Sequence, residues 1–194
     1  MIDDLDRTLE QLLRQELPAS IVAGVSISFA PPDSQFPPQS VTLPAIDLFL
    51  YDIRENRDLR ETEWLLDRQS NGATTKRQPP MRVDCSYLIT AWPSEASNTR
   101  MLDEHRLLSE VMKVLIRHSS LPDAIIQGSL RGQEPPLPGA VGQPGQLQSM
   151  SEFWQALGGK PKAAINYTVT IGIDAYTPVE GEAAVTDSTT NYGP

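Results

Sequence analysis

The chain has 194 residues, a formal net charge of −9, one cysteine and two histidines. That acidic balance excludes wrapping of nucleic acid and attraction to anionic membranes, which need clustered basic residues, and one thiol excludes an intrachain disulfide. No apolar run is as long as a membrane span, and the start, MIDDLDRTLEQLL, is acidic and amphipathic where a secretory leader is basic and then apolar, so a cytoplasmic origin is expected.

Ile2, Leu5, Leu9, Leu12, Leu13 and Leu17 recur at steps of three and four, which predicts a surface helix ended by Pro18. VSISF (25–29) sets Val25, Ile27 and Phe29 against two serines, a half-buried strand, and the proline-rich APPDSQFPPQSVTLP that follows is a loop. PAIDLFLYDIRENRDLR (44–60) begins as a strand apolar on both faces. Such a strand belongs in the middle of a sheet, and Leu48 and Leu50 are expected in the core. Its end is a dense mixture of charges. Residues 61–80 read as a polar hairpin or flap turning at Asn71-Gly72. MRVDCSYLITAW (81–92) alternates, with Met81, Val83, Cys85, Tyr87, Ile89 and Ala91 on one face. A second helix follows, capped by Asn98 or Thr99, with Leu108, Val111, Met112 and Leu115 as its buried stripe, widened by Leu107 and Val114. DAIIQGSL is expected as a short strand, 131–148 as a proline- and glycine-rich loop, SMSEFWQALGG as a short helix with a glycine stop, and 163–176 as a strand with Ile165, Tyr167, Val169, Ile171 and Ile173 inward. Residues 1–176 thus make one α+β domain, a mixed, mostly antiparallel sheet packed with helices. Residues 177–194, with three acids and no lysine or arginine, are expected to be a mobile acidic tail.

No set of residues assembles a catalytic or metal centre. Cys85 lies on an apolar strand face, a core position rather than that of a nucleophile. His105 and His118 have no zinc-like spacing. LGGKPK (157–162) resembles a phosphate loop only in part, because proline follows the lysine and Trp154 stands where a glycine is needed. Asp103 with Glu104 and Glu61 with Glu63 read as solvated charge, and Trp154 as core. Trp64, in the polar flap, is the tryptophan placed to anchor a contact. No enzyme activity, cofactor or metal is expected.

PAIDLFLYDIREN, the arginine at 60, PPMRVDCSYLITAWP and FWQALGGKPKAAINYTVTIGI occur in an order that resembles one family, the tail-terminator or cap proteins of extracellular contractile injection systems of the antifeeding-prophage and virulence-cassette type. The resemblance covers about residues 2–176. It implies a phage tail-terminator-like fold and a structural ring, six-fold like the tail, on the distal end of the inner tube, meeting the last sheath layer. The partners implied are other copies of the chain, the tube protein and the sheath protein, and the family brings no catalytic residues. Some members carry a further C-terminal domain, whose functions do not transfer to these residues.

On that reading Tyr51, Arg54, Glu55, Asn56, Arg57, Arg60 and Trp64 are the candidate subunit or tube/sheath interface, a charged rim that sets register between neighbours. Two other readings stand beside it. The rim charges could pair within one chain, or the chain could be a tube or baseplate part of the same kind of particle. A small-molecule binder is a further alternative, which would need an apolar pocket with convergent polar groups.

Overall fold

The computed structural model describes residues 1–68, 74–142, 150–158, 160–177 and 179–180. The Asn71-Gly72 turn, the distal part of the loop at 131–148 and tail residues 181–194 lie outside them. Among the described residues the α-helices and strands follow in chain order: α1 (Ile2–Glu16), α2 (Ala19–Val22), β1 (Ser26–Ser28), β2 (Ala45–Glu55), β3 (Leu65–Arg68), β4 (Thr74–Arg77), β5 (Met81–Trp92), α3 (Arg100–Arg117), β6 (Gly139–Val141), α4 (Met150–Ala156), β7 (Ala164–Ile173) and β8 (Val179–Glu180). They divide into two compact units. One comprises Met1–Arg54 with Val83–Ile171, the other Glu55–Arg82 with the chain from Gly172 onward.

The first unit is built on a mixed, mostly antiparallel five-stranded sheet in the order β1-β2-β5-β7-β6. β1 runs parallel to β2, pairing Ser26 with Ala45 and Ser28 with Asp47, and β6 runs antiparallel to β7, pairing Gly139 with Val169. The middle strand is therefore β5, not β2. All seven residues from Cys85 to Ala91 are buried, on both faces, where the alternating pattern had promised a single inward face. Position explains this: β5 is flanked by two strands on each side, and both of its faces are covered.

On the odd-numbered face of β5, the Tyr87 hydroxyl donates to Asp6 of α1 at 2.8 Å. α1 lays its leucine stripe, Leu5, Leu9, Leu12 and Leu13, into the core at 1% exposure or less and touches α3. α3 contributes Leu107, Leu108, Val111, Val114 and Leu115, while Met112 is only half-buried. Its N-cap residue is Thr99, whose side chain makes no capping bond. Cys85 is buried here as a free thiol, and burial pushes it up to about 11, which removes the thiolate that reactivity requires. Tyr167 from β7 is fully buried and lies so close to Gly139 of β6 that a Cβ at 139 would collide with its ring and hydroxyl. That approach requires a glycine on β6.

The even-numbered face carries a different chemistry. Asp84 accepts from the Thr170 hydroxyl at 2.6 Å, the Ser86 and Thr168 hydroxyls lie 3.2 Å apart, and the Tyr51 hydroxyl of β2 donates to Asn166 at 3.0 Å. Tyr51 also meets Phe153 of α4 edge-on at 5.7 Å. Trp92 at the end of β5 meets Phe36, with ring centroids 4.3 Å apart, and the Lys162 ammonium, 4.5 Å from its ring centre and itself paired with Glu104 at 2.6 Å. A polar ladder is thus roofed by aromatic side chains.

Three local expectations are corrected. Ser28, expected to face water, is 5% exposed while Val25, Ile27 and Phe29 are half-buried, because Ser28 pairs with the buried Asp47 and its hydroxyl accepts from the Ala30 N–H at 3.2 Å. DAIIQGSL forms two 3-10 turns, Asp123–Ile125 and Gly128–Leu130, instead of a strand. Gly128 has a φ of +54°, and Asp4 of α1 fills the space its Cβ would take. The loop at 131–148 contains the edge strand β6.

In the second unit β3 and β4 form the expected hairpin, antiparallel with Leu65 opposite Arg77, and β8 adds to β4 to make a three-stranded sheet. Val179 and Glu180, read as the start of a mobile tail, are therefore a strand.

Candidate functional site

The chain first passes from one unit to the other at the end of β2. The burial of β2 falls steadily along its length. Ala45, Ile46, Asp47 and Leu48 are buried, Phe49 to Asp52 are half-buried, and Ile53 and Arg54 are exposed. Leu50, expected in the core with Leu48, is only half-buried. The apolar-then-charged sequence is thus a strand that begins in the core and ends at the surface, with Ile53 half exposed at 49%.

Within the first unit, Tyr51 is held on two sides, by Asn166 and Phe153, and burial raises its hydroxyl above its ordinary range. Arg54 reaches back along its own strand to Asp52, Nε to Oδ2 at 2.5 Å. In the second unit, Arg60 donates through Nε and Nη2 to the two oxygens of Glu55, each at 2.7 Å. Such a two-point fork fixes the guanidinium plane. Asn56 folds the chain between them. Its side-chain oxygen accepts from the Leu59 N–H at 3.2 Å, capping a 3-10 turn over Arg57–Leu59, and its own N–H donates to the Arg82 carbonyl at 2.8 Å. Arg57 is exposed on that turn and has no ion pair among the described residues.

Of the three arginines expected at the rim, two are therefore committed to carboxylates of the same chain and one is open to solvent. Exposed pairs of this kind contribute about 0–1 kcal/mol each, so they orient the arginines more than they stabilise the fold.

Trp64 is 50% exposed. With Tyr176, itself 57% exposed, it lines an open groove of about 300 Å³ together with Pro79, Met81, Arg60 and Glu61. Tyr176 had been read only as the end of a strand; the sequence offers no periodicity by which a residue so far from Trp64 could be paired with it.

A second feature escaped the sequence reading. Asp47, between Ile46 and Leu48, is fully buried, and neither of its carboxylate oxygens has a hydrogen-bond partner. Burial pushes it up to about 7; the nearby Ser28 hydroxyl and Ala30 N–H offset only part of that. The signal was present, a lone carboxylate inside a strand apolar on both faces.

Among the described residues no group of His, Cys, Asp and Glu is placed to hold a metal ion, and no helix is long and apolar enough to cross a membrane. A further groove of about 400 Å³, between Ile21, Pro44, Pro93 and Leu107, has only Asp103 and Arg106 as charged lining, neither of them buried.

Comparison with known proteins bears on the whole chain. The fold is similar to the sheath/tube terminator of the PVC extracellular contractile injection system in its extended state, with a TM-score of 0.70 and 25% identity over 100% of this chain and 64% of that one. It is also similar to the cap that terminates the tube of the anti-feeding prophage, with a TM-score of 0.66 and 26% identity over 99% of this chain and 61% of that one. The chain therefore spans less than two thirds of the length of either structure. No curated protein matches it. The model of the Pvc16 N-terminal domain matches residues 4–186, from the first turn of α1 to beyond β8, and the chain belongs to that family.

Proposed function

We propose that this chain caps a contractile injection particle, forming a ring on the distal end of the inner tube and touching the last layer of the sheath. The observation that carries this reading is the similarity in fold along the whole chain to two proteins described as terminators, at 25% and 26% identity. The ring is a homohexamer that matches the six-fold tail, and its role is structural, without catalysis or cofactor. The charged segment from Arg54 to Arg60 serves the contact between subunits, with Arg57 as its unpaired charge. The short β3–β4 hairpin, which carries Lys76 and Arg77, favours a cap over a tube subunit, whose hairpins must join into a continuous apolar-backed barrel.

The test is made in cells that assemble the particle. Without this chain, tubes and sheaths lack a distal cap and become uneven in length by electron microscopy. A variant carrying Arg54→Glu, Arg57→Glu and Arg60→Glu together keeps near-normal circular dichroism but forms no ring, because like charges recur at each contact of a heterologous ring. Normal tail lengths in its presence would return the rim charges to a purely intramolecular role.

A further inference from the structure

Asp47 is 0% exposed, and neither of its carboxylate oxygens has a hydrogen-bond partner. An ionised carboxylate in that state is among the most costly groups a core can hold, so it is either kept as the neutral acid or given water. Its neighbour towards the open side of the sheet is the edge strand β1. We propose that β1 is a pH-governed flap: ionisation of Asp47 lifts the strand from the edge of β2, and protonation lets it close.

β1 is the cover that yields most easily. It is three residues long and pairs on one side only, Ser26 with Ala45, Ile27 with Ile46 and Ser28 with Asp47. Val25, Ile27 and Phe29 are half-buried, so little apolar area holds it down. Before it stands Gly24, with no atom within 4 Å of where a Cβ would be. The other neighbour of β2 is β5, twelve residues long and buried on both faces from Cys85 to Ala91. Parting β2 from β5 would dismantle the core, whereas parting it from β1 breaks three pairings, and local opening follows the least stable route.

No fixed charge competes for Asp47. From β1 and the residues after it come the Ser28 hydroxyl and the Ala30 N–H, which with burial are what act on the carboxyl. Asp33, further along that loop, accepts from the Gln35 N–H at 2.8 Å. On β2 itself the alternate positions on either side are Ala45 and Phe49. Arg82 and Asp84 of β5 lie at the opposite end of β2, where the Asn56 N–H meets the Arg82 carbonyl. Lys162, over Trp92, is paired with Glu104 at 2.6 Å.

Closed, Asp47 titrates near 7; hydrated, it returns to its ordinary value of 3.8. The closed form therefore binds the proton more tightly. The open population grows with pH between those values, by up to about tenfold per unit, and levels off above about 7. β1 is thus shut in acid and loosest at neutral pH and above. While it is lifted, the backbone of residues 45–47 is bare, and a bare edge is a template for another strand.

Amide hydrogen exchange on the unaltered protein, followed by NMR from pH 5 to 8.5 and expressed as protection relative to the intrinsic rate, tests this. The Ser26 N–H, which donates to the Pro44 carbonyl at 3.0 Å, reports on β1; the Thr170 N–H, bonded to the Pro138 carbonyl at 3.0 Å, reports on the core. Protection of Ser26 is expected to fall by roughly tenfold or more between pH 5 and 7, to stay flat above 7.5 and to lie well below that of Thr170 throughout. In Asp47→Asn the pH dependence disappears, and Asp47→Leu gives the same arm if the first variant does not fold. A Ser26 protection that ignores pH overturns the proposal. So does one equal to that of Thr170, because Asp47 would then meet water only when the whole unit unfolds. A fall that survives in Asp47→Asn also overturns it and assigns the effect to another carboxyl, Asp6 beside Tyr87 being the next that burial raises.

Discussion

The two faces of the first unit's sheet solve burial differently. The odd-numbered face of β5 is covered by leucines of α1 and is stabilised by apolar area, which is indifferent to direction. The even-numbered face is held by Asp84–Thr170, Ser86–Thr168 and Tyr51–Asn166, each of which requires a particular partner at a particular distance. An apolar face tolerates adjustment as long as volume is kept. A ladder of hydrogen bonds contributes little net energy but punishes misregistration, because a displaced polar group is left buried and unpaired. The difference suggests a division of labour in which one face supplies stability and the other fixes the register of β2, β5 and β7.

Substitutions on the two faces should break this contrast in graded ways. The largest effect is expected for Leu48→Asp, which puts a charge at a position 1% exposed. The cost exceeds about 4 kcal/mol, a large part of the whole stability of a typical domain, and no folded, soluble protein should be recovered. A cooperative melt at the wild-type temperature would show that β2 is misplaced.

The next effect lies in pH. Asp47 titrates near 7 when folded and near 3.8 when unfolded. Between those values the folded chain binds the extra proton, so stability is greatest near the lower end and falls as pH rises to about 7, by at most about 1.4 kcal/mol per pH unit. Asp4 acts in the opposite sense and in a lower window. Bonds from the Ser129 hydroxyl and N–H lower it to about 2, so its contribution is present above about 3.8 and lost as pH falls towards 2. Urea unfolding between pH 5 and 8.5 should show a falling stability, and Asp47→Asn should flatten it while raising stability at pH 8. Equal slopes for the two proteins would mean that Asp47 is solvated in the folded chain.

A double-mutant cycle of Ser86→Ala and Thr168→Val sharpens the contrast further. Each single change removes one bond from this ladder, so each should cost about 1 kcal/mol and the pair less than the sum. Strict additivity would deny that the two hydroxyls are coupled. The smallest effect belongs to Arg54→Ala, about 0–1 kcal/mol in the isolated protein, since Arg54 is 53% exposed beside Asp52.

The odd face was largely legible in the sequence. The steps of three and four in α1 and α3 and the alternation of β7 follow directly from helix and strand geometry, and the structure buries nearly all of those residues. The even face was not. Asp84, Ser86 and Thr90 look like the solvent side of a one-sided strand, and only cover from residues distant in sequence leaves Ser86 and Thr90 buried and Asp84 half-buried. β6 was hidden for a related reason: three residues, one of them the glycine under Tyr167, carry no period. At the candidate interface the sequence located the arginines and Trp64 but could not say which charges were already satisfied, since the Arg60–Glu55 fork depends on the turn that Asn56 makes.

The strand order has a consequence for how the protein is made. β7 lies between β5 and β6, yet its residues, Ala164–Ile173, are among the last of the described chain to be translated. Until they emerge from the ribosome, β5 is left with one long edge unpaired and β6 has no neighbouring strand at all. Long-range pairing of this kind forms slowly, and an open edge invites association with other chains. The first unit therefore cannot close around a half-made chain, and its sheet is complete only after synthesis has passed β7. Slowing translation just before Ala164 should lengthen the life of the open-edged intermediate and increase aggregation.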